Sequence, residues 1–245
     1  MGAMNEAGFE ILYEEGPCLV VCKPPGLLTQ SPPGIDSLEG RIKQFLKQRD
    51  AKPGNVYLGV PHRLDRPASG AIVFARHVRA ARRIAEQFAY RRVEKVYWAC
   101  VEGCVSPDEG TWRDQVRKIP DMAQAEVVAA DHPDAREAVM HYRTIARFDW
   151  GTWLEIRLET GRMHQVRIQC SSRGHALLGD ERYGAARPFG IPYEDRRLRA
   201  IALHARSLAF DHPMTHRAVH VVAPLPLVWL EQGIDPGRAL CQSRP

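Results

Sequence analysis

The segment His62-Arg63-Leu64-Asp65-Arg66-Pro67-Ala68-Ser69-Gly70 sets one carboxylate between two guanidinium side chains, immediately before the apolar run Ala71 to Ala75. Positive neighbours favour the ionised acid. Asp65 therefore suits a nucleophile or a base better than a proton donor. Residue types alone also fit a solvated ion pair on a surface loop. A Ser69, His62 and Asp65 triad is disfavoured, because all three lie in one short loop without a nucleophile-elbow pattern. Metal chemistry is weakly supported. Cys18 and Cys22, like Cys100 and Cys104, are four apart and fall at strands or their ends, without the two-residue knuckle spacing of zinc sites. His212, His216 and His220 are also four apart, but Pro213 interrupts helical presentation and no HExxH pattern is present. No metal site is predicted.

The elements that must position Asp65 are legible from periodicity. Ile11-Leu12-Tyr13 and Cys18 to Val21 are rich in β-formers, and the second run ends at the turn Lys23-Pro24-Pro25-Gly26. Asp36 stands three residues before Glu39 in a capping-box-like start, and Leu38, Ile42, Phe45 and Leu46 mark one face of a helix through about Gln48. Ile72-Val73-Phe74 reads as a buried strand, followed by a helix with Val78, Ala81, Ala85 and Phe88 on one side. Further strands are expected at Glu94–Val101, Ala138–Arg147, Trp153–Glu159, Leu203–Phe210 and Ala218–Val222. After Thr160-Gly161 a short helix should place Met163, Val166 and Cys170 on one face and His164, Arg167 and Ser171 on another. Pro120 to Pro133 reads as a surface loop or hairpin. These signals describe one continuous α+β domain over 9–232, with terminal extensions at 1–8 and 233–245.

Composition excludes several classes. With 44% apolar and 26% charged residues over 245 positions, the chain is neither collagen-like, disordered nor coiled-coil. Six cysteines are too dilute for a disulfide scaffold and fit a reducing compartment. Val219 to Leu230, the longest apolar stretch, contains His220, Pro224 and Pro226 and is too short for a bilayer. The N-terminus lacks the pattern of a secretory signal, so a cytoplasmic location is expected. The net charge is +5, carried by 34 cations of which 28 are arginines. Arginine binds phosphate bidentately and stacks on bases, which suits a nucleic-acid partner, although a GC-rich genome writes arginine for lysine everywhere.

The ordered motifs add a resemblance. His62-Arg63-Leu64-Asp65 with Ser69-Gly70 resembles the catalytic signature of the RluA-type pseudouridine synthases. Glu94-Lys95-Val96-Tyr97-Trp98-Ala99, then Gly161-Arg162-Met163-His164-Gln165-Val166-Arg167-Ile168, Leu178-Gly179-Asp180 with Tyr183-Gly184, and Leu203-His204-Ala205 with His212-Pro213 follow in the family's order. The likeness spans Phe9 to Leu230. It implies an α+β fold with a mixed, mainly antiparallel central sheet, flanking helices and a central catalytic cleft. No N-terminal S4-like RNA-binding domain, which many relatives carry, is expected before Phe9.

By that resemblance Asp65 is the catalytic carboxylate, Tyr97 the aromatic residue that stacks on the target uracil, and Arg167 the partner that holds the aspartate. Ile168 takes the apolar position against the base, and Arg63, with His62 beside it, helps hold the target nucleotide out of its stack. Ala68 replaces the usual Thr, and Gln169 stands where a His often follows. The implied reaction breaks the N1–C1′ bond of a uridine, rotates the base and rejoins it through C5. It involves no redox change and needs no cofactor. The carboxylate either attacks the sugar or abstracts its 2′ proton. Arg76, Arg79, Arg82, Arg83, Arg91 and Arg92 are candidate contacts to an RNA backbone, as is the cluster Arg196, Arg197 and Arg199. The expected partner is transfer or ribosomal RNA, with no membrane, acted on by a monomer. An RNA-binding or RNA-folding module without catalysis is the alternative.

Overall fold

A computed structural model describes residues 6–236, so parts of both expected terminal extensions lie outside the described residues. The chain divides into two compact units. The first is built from the chain up to Lys95 with Asp195–Leu198 and His204–Pro226; the second from Val96–Glu194, Arg199–Leu203 and the chain from Leu227 onward.

In the first unit β1 (Glu10–Glu15) pairs antiparallel with β2 (Cys18–Lys23), and β2 with β3 (Ser69–Ala75). β3 runs parallel to β9 (Leu203–Asp211) through Ser69 opposite His204 and Gly70 opposite Ala205. β10 (Ala218–Val222) closes antiparallel on β9. Every residue of β3 is buried, which explains its unbroken apolar run, since a strand covered on both faces cannot alternate. Cys18, Val20, Val73, Ala75, Leu208, Phe210, Val219 and Val221 form one core with Ala80 and Ile84 of α2 (Val78–Ala89). These strand positions recur at i+2 and the helix positions at i+4, the two periods by which one face of each element meets the other. Helix α1 spans Leu38–Arg49, and its cap is Ser37, whose Oγ accepts the Gly40 N–H at 3.3 Å. The expected Asp36 cap is thus displaced by one residue. Because the helix begins at Leu38, Ser37 is the residue that reaches the third helical N–H, and Asp36 receives Arg41 Nε at 2.9 Å instead.

The second unit is an antiparallel sheet in the order β4 (Glu94–Glu102), β8 (Gly151–Leu158), β7 (Arg136–Phe148), β5 (Glu109–Lys118), β6 (Ala125–Val128). The β5–β6 hairpin overlaps the stretch read as a loop or hairpin. β5 itself carries little sequence signal because its more buried face, Gly110, Trp112, Asp114 and Val116, includes only two large apolar side chains. Helix α3 is Gln165–Ser171, and the five-residue α4, Leu227–Glu231, is a further element without a sequence signal. α4 sinks Trp229 completely, 6.3 Å from the Trp153 ring and 5.6 Å from that of Phe189. Among the described residues no helix is long and apolar enough to cross a membrane.

Candidate active site

The backbone around Asp65 is clamped on both sides. Before it, the Leu64 N–H donates to Thr29 Oγ at 3.2 Å, and the Thr29 hydroxyl donates to the Leu64 carbonyl at 2.9 Å. After it, the Arg66 carbonyl accepts both the Gly26 N–H at 2.9 Å and the Lys23 ammonium at 3.0 Å, while Arg66 Nε returns a bond to the Gly26 carbonyl at 2.9 Å. Lys23 is fully buried and spends its other donors on the Pro24 and Leu27 carbonyls at 2.9 and 2.7 Å. Burial pulls its pKa down to about 7, and the Asp65 carboxylate acts in the opposite direction. Gly26 sits at φ +79, with the Leu198 carbonyl 2.8 Å from where a Cβ would be, so the close approach requires glycine. The turn signal Lys23-Pro24-Pro25-Gly26 is therefore the seat of the Asp65 loop. Asp65 is half-buried and Arg63 is exposed.

His62 serves the framework directly. Its Nε2 accepts the Val73 N–H at 3.1 Å and its ring stacks on Phe88 at 4.3 Å. Burial, with Lys95 adding to it, pulls the His62 pKa down to about 3, which agrees with a ring nitrogen that must stay an acceptor. Ser69 and His204 join β3 to β9. The buried His204 Nε2–H faces the Ala223 carbonyl at 3.4 Å, which leaves Nδ1 to accept the Ser69 hydroxyl at 2.9 Å. Burial draws His204 down to about 4. Ser69 therefore serves the strand pair, not a hydrolytic triad.

In the second unit α3 presents Arg167 inward, 4% exposed, not on a solvated helix face. Asp180 receives it bidentately, Nε to Oδ2 and Nη2 to Oδ1, both at 2.7 Å. The guanidinium also lies 4.9 Å over the ring of Tyr183. Tyr183 is anchored in turn: its oxygen accepts the Ala125 N–H at 2.9 Å and meets His164 Nδ1 at 2.9 Å. His164 precedes the helix in a left-handed conformation, φ 53. Met163 also lies before α3 and is 37% exposed, so it does not share the apolar face expected for it. Gln165, the first residue of the helix, ties it back to the turn that precedes it and across to β7. Gln165 Oε1 accepts the Thr160 hydroxyl at 2.7 Å and the Arg162 N–H at 3.0 Å, while Nε2 donates to the Val139 carbonyl at 3.1 Å and Gln169 Oε1 at 3.0 Å. The fully buried Gln169 donates onward to Asp114 Oδ2 at 2.7 Å. This amide ladder ties α3 to β5 and β7. Ile168 on α3 and Tyr97 on β4 are half-buried.

The arginines divide into two groups. Arg76 is held by Glu14 and Asp50, both at 2.7 Å, and Arg83 donates to the Pro213 carbonyl at 2.7 Å. Arg197 pairs with Asp195 at 2.9 Å and Arg199 with Glu181 at 2.5 Å. Arg79, Arg91 and Arg92 are exposed, and the Arg82 side chain is 75% exposed. The five described cysteines are free thiols. Among the described residues no group of three or more His, Cys, Asp or Glu is placed to hold a metal.

The sequence motifs identify the Asp65 loop and α3 but assign no role to Lys23, Gln165, Asp180 or Tyr183. The available signals are a lysine and a glutamine inside apolar elements, and an aspartate following Leu178-Gly179.

Comparison with known proteins agrees with this architecture. Residues 17–172 match the family model described as RNA pseudouridylate synthase. The chain is 36% identical to the ribosomal large subunit pseudouridine synthase D of Xanthomonas campestris, over 91% of this chain and 68% of that protein. It is 32% identical to an RNA pseudouridine synthase of Synechocystis, over 92% of this chain and 70% of that one. In three dimensions it resembles human RNA pseudouridylate synthase domain containing 4, with a TM-score of 0.74 at 22% identity over 94% and 92% of the two chains. The chain belongs to the RNA pseudouridylate synthase family, in its RluA-type branch, and is an isomerase that converts uridine in RNA to pseudouridine.

Proposed function

We propose that Asp65 is the carboxylate that drives cleavage of the N1–C1′ bond of the target uridine, by attack on the sugar or by removal of its 2′ proton, with Tyr97 and Arg167 as its partners in the reaction. The observation that carries this reading is the clamp on Leu64 and Arg66, which fixes the backbone on either side of one half-buried acid. A reacting group gains from such restraint because orientation is settled before the substrate arrives. Tyr97 offers the aromatic face on which an extruded pyrimidine stacks, Ile168 the apolar contact against the base, and Arg167 the guanidinium that steadies the carboxylate. Arg63 is exposed in the same loop and suits the space an extruded base leaves. His62, bonded to Val73, positions the loop from behind.

The substrate is ribosomal RNA of the large subunit, a reading supported by relatives named for that activity and 36% identical to this chain. The isomerisation is redox-neutral and intramolecular, so it calls for no cofactor, and we take the enzyme to be a cytoplasmic monomer. The test is tritium release from RNA labelled at uracil C5. Asp65→Asn should release no tritium above background while still binding the RNA; release at the wild-type rate would refute the assignment.

A further inference from the structure

We infer that the exposed side of α2 and the turn that follows it form an RNA-docking surface, in which an unpaired base stacks on Tyr90 and the flanking phosphates meet Arg79, Arg82, Arg91 and Arg92. This rests on the RNA substrate and goes beyond it by naming the face, the aromatic platform and the single-stranded character of what binds.

Charge is concentrated here. Residues 79 to 95 hold six cations against two acids, whereas the whole chain carries a net charge of only +5. Five other arginines of the same unit are neutralised by carboxylates: Arg41 by Asp36, Arg49 and Arg76 by Glu14 and Asp50, Arg197 by Asp195, Arg217 by Glu15. Among the described residues Arg79, Arg91 and Arg92 have no carboxylate within ion-pair distance, and Arg82 meets Glu86 only at 3.5 Å. Unrelieved repulsion shows in the neighbours. Arg91 adds to burial in lowering the Lys95 pKa, and Lys95 adds to burial in lowering that of His62. An anion bound here would relieve that repulsion.

Apolar exposure coincides with the charge. Tyr90 and Val78, at the two ends of α2, are 73% and 66% exposed, the most exposed large apolar side chains among the described residues. The Arg92 guanidinium lies 5.8 Å from the Tyr90 ring centroid. A ring beside a cation is the arrangement that holds a base and its phosphate together, whereas phosphate binding alone requires no aromatic. The backbone adds a third sign. After the helix, the Arg91 N–H bonds the Phe88 carbonyl and the Arg92 N–H bonds the Gln87 carbonyl, with Arg91 at φ 56. Glycine is usual at this left-handed position, and an arginine there accepts backbone strain without a carboxylate to pair with.

The test is anisotropy of a 5′-fluorescein dodecauridylate titrated with the full chain across a range of salt. Tyr90→Ala should raise Kd by about tenfold, within the ~5- to 150-fold span expected when a base stack is removed, and Tyr90→Phe should restore binding. The Arg91→Ala, Arg92→Ala double variant should flatten the log Kd against log salt slope by about 1.4, roughly 0.7 for each single-strand phosphate that is no longer neutralised. Unfolding midpoints equal to wild type confirm that the variants fold. Wild-type binding that Tyr90→Ala leaves within twofold overturns the surface alone. Wild type that does not bind the dodecauridylate overturns the surface, while the substrate reading stands or falls separately on tritium release. If a decaglutamate peptide binds as tightly as the RNA and also depends on Tyr90, the face is for acidic protein and the inference falls.

Discussion

Arg167 and Asp180 form a two-pronged ion pair inside the second unit, Nε and Nη2 each 2.7 Å from a carboxylate oxygen, with the two side chains 5% and 1% exposed. Two parallel bonds fix the plane of the guanidinium as well as its position, which a lysine could not reproduce. A residue thirteen positions along the chain thus settles how the family arginine is presented.

Asp180→Asn should destabilise the protein by about 3 kcal/mol, because it removes the charge of one member of a buried ion pair that is bonded at two points. Urea unfolding followed by tryptophan fluorescence measures this. A midpoint unchanged from wild type would show that the pair carries no stability.

Tyr183 separates two contributions to the same guanidinium. Tyr183→Phe keeps the ring under Arg167 but loses the bonds to the Ala125 N–H and His164, costing about 1–2 kcal/mol of stability with the ring still in place. Tyr183→Leu also removes the ring face, worth roughly a further 0.5–2 kcal/mol. Tritium release at saturating RNA should fall more for the leucine variant than for the phenylalanine one; equal losses would argue that the ring does not position Arg167.

The bond between His62 and Val73 gives a pH signature. The folded-state pKa of His62 is pulled from 6.5 to about 3, so between those values the unfolded chain binds more protons and stability rises with pH. The contribution is complete above about pH 6.5 and is lost as the pH falls toward 3, with about 2 kcal/mol gone by about pH 5. Protonation also turns Nε2 into a donor against the Val73 N–H. His62→Gln keeps an acceptor that does not titrate, so its unfolding midpoint should vary less over this range. Parallel profiles for the two proteins would contradict the assignment.

Gly70→Ala should cost more than about 3 kcal/mol or prevent folding. A Cβ there would stand 2.3 Å from the Ala205 carbonyl oxygen and 2.5 Å from its nitrogen, both backbone atoms of β9, and φ is +118. Expression yield and thermal unfolding report it. A variant as stable as wild type would mean that the β3–β9 approach is looser than the geometry indicates.

What the sequence determined by itself were the local elements and the chemistry-bearing segments. Cys18 to Val21, Ile72 to Phe74 and the α2 positions Val78 to Phe88 announce strand, strand and helix, because side-chain period and backbone conformation are properties of neighbouring residues. The Asp65 loop and Arg167 were legible for the same reason: their motifs are contiguous. Only the tertiary structure decided that Ser37 caps α1, that Lys23 spends its ammonium on Arg66, that Gln169 reaches Asp114 and that Asp180 meets Arg167. Most of those partners are chosen by sheet register and chain reversal, and two groups tens of residues apart acquire a common address only after the strands between them have paired. Strand β5, with only Trp112 and Val116 as large apolar residues on its more buried face, shows the same limit from the other side: its conformation is imposed by hydrogen bonding to β6 and β7, and its own residues record that only faintly.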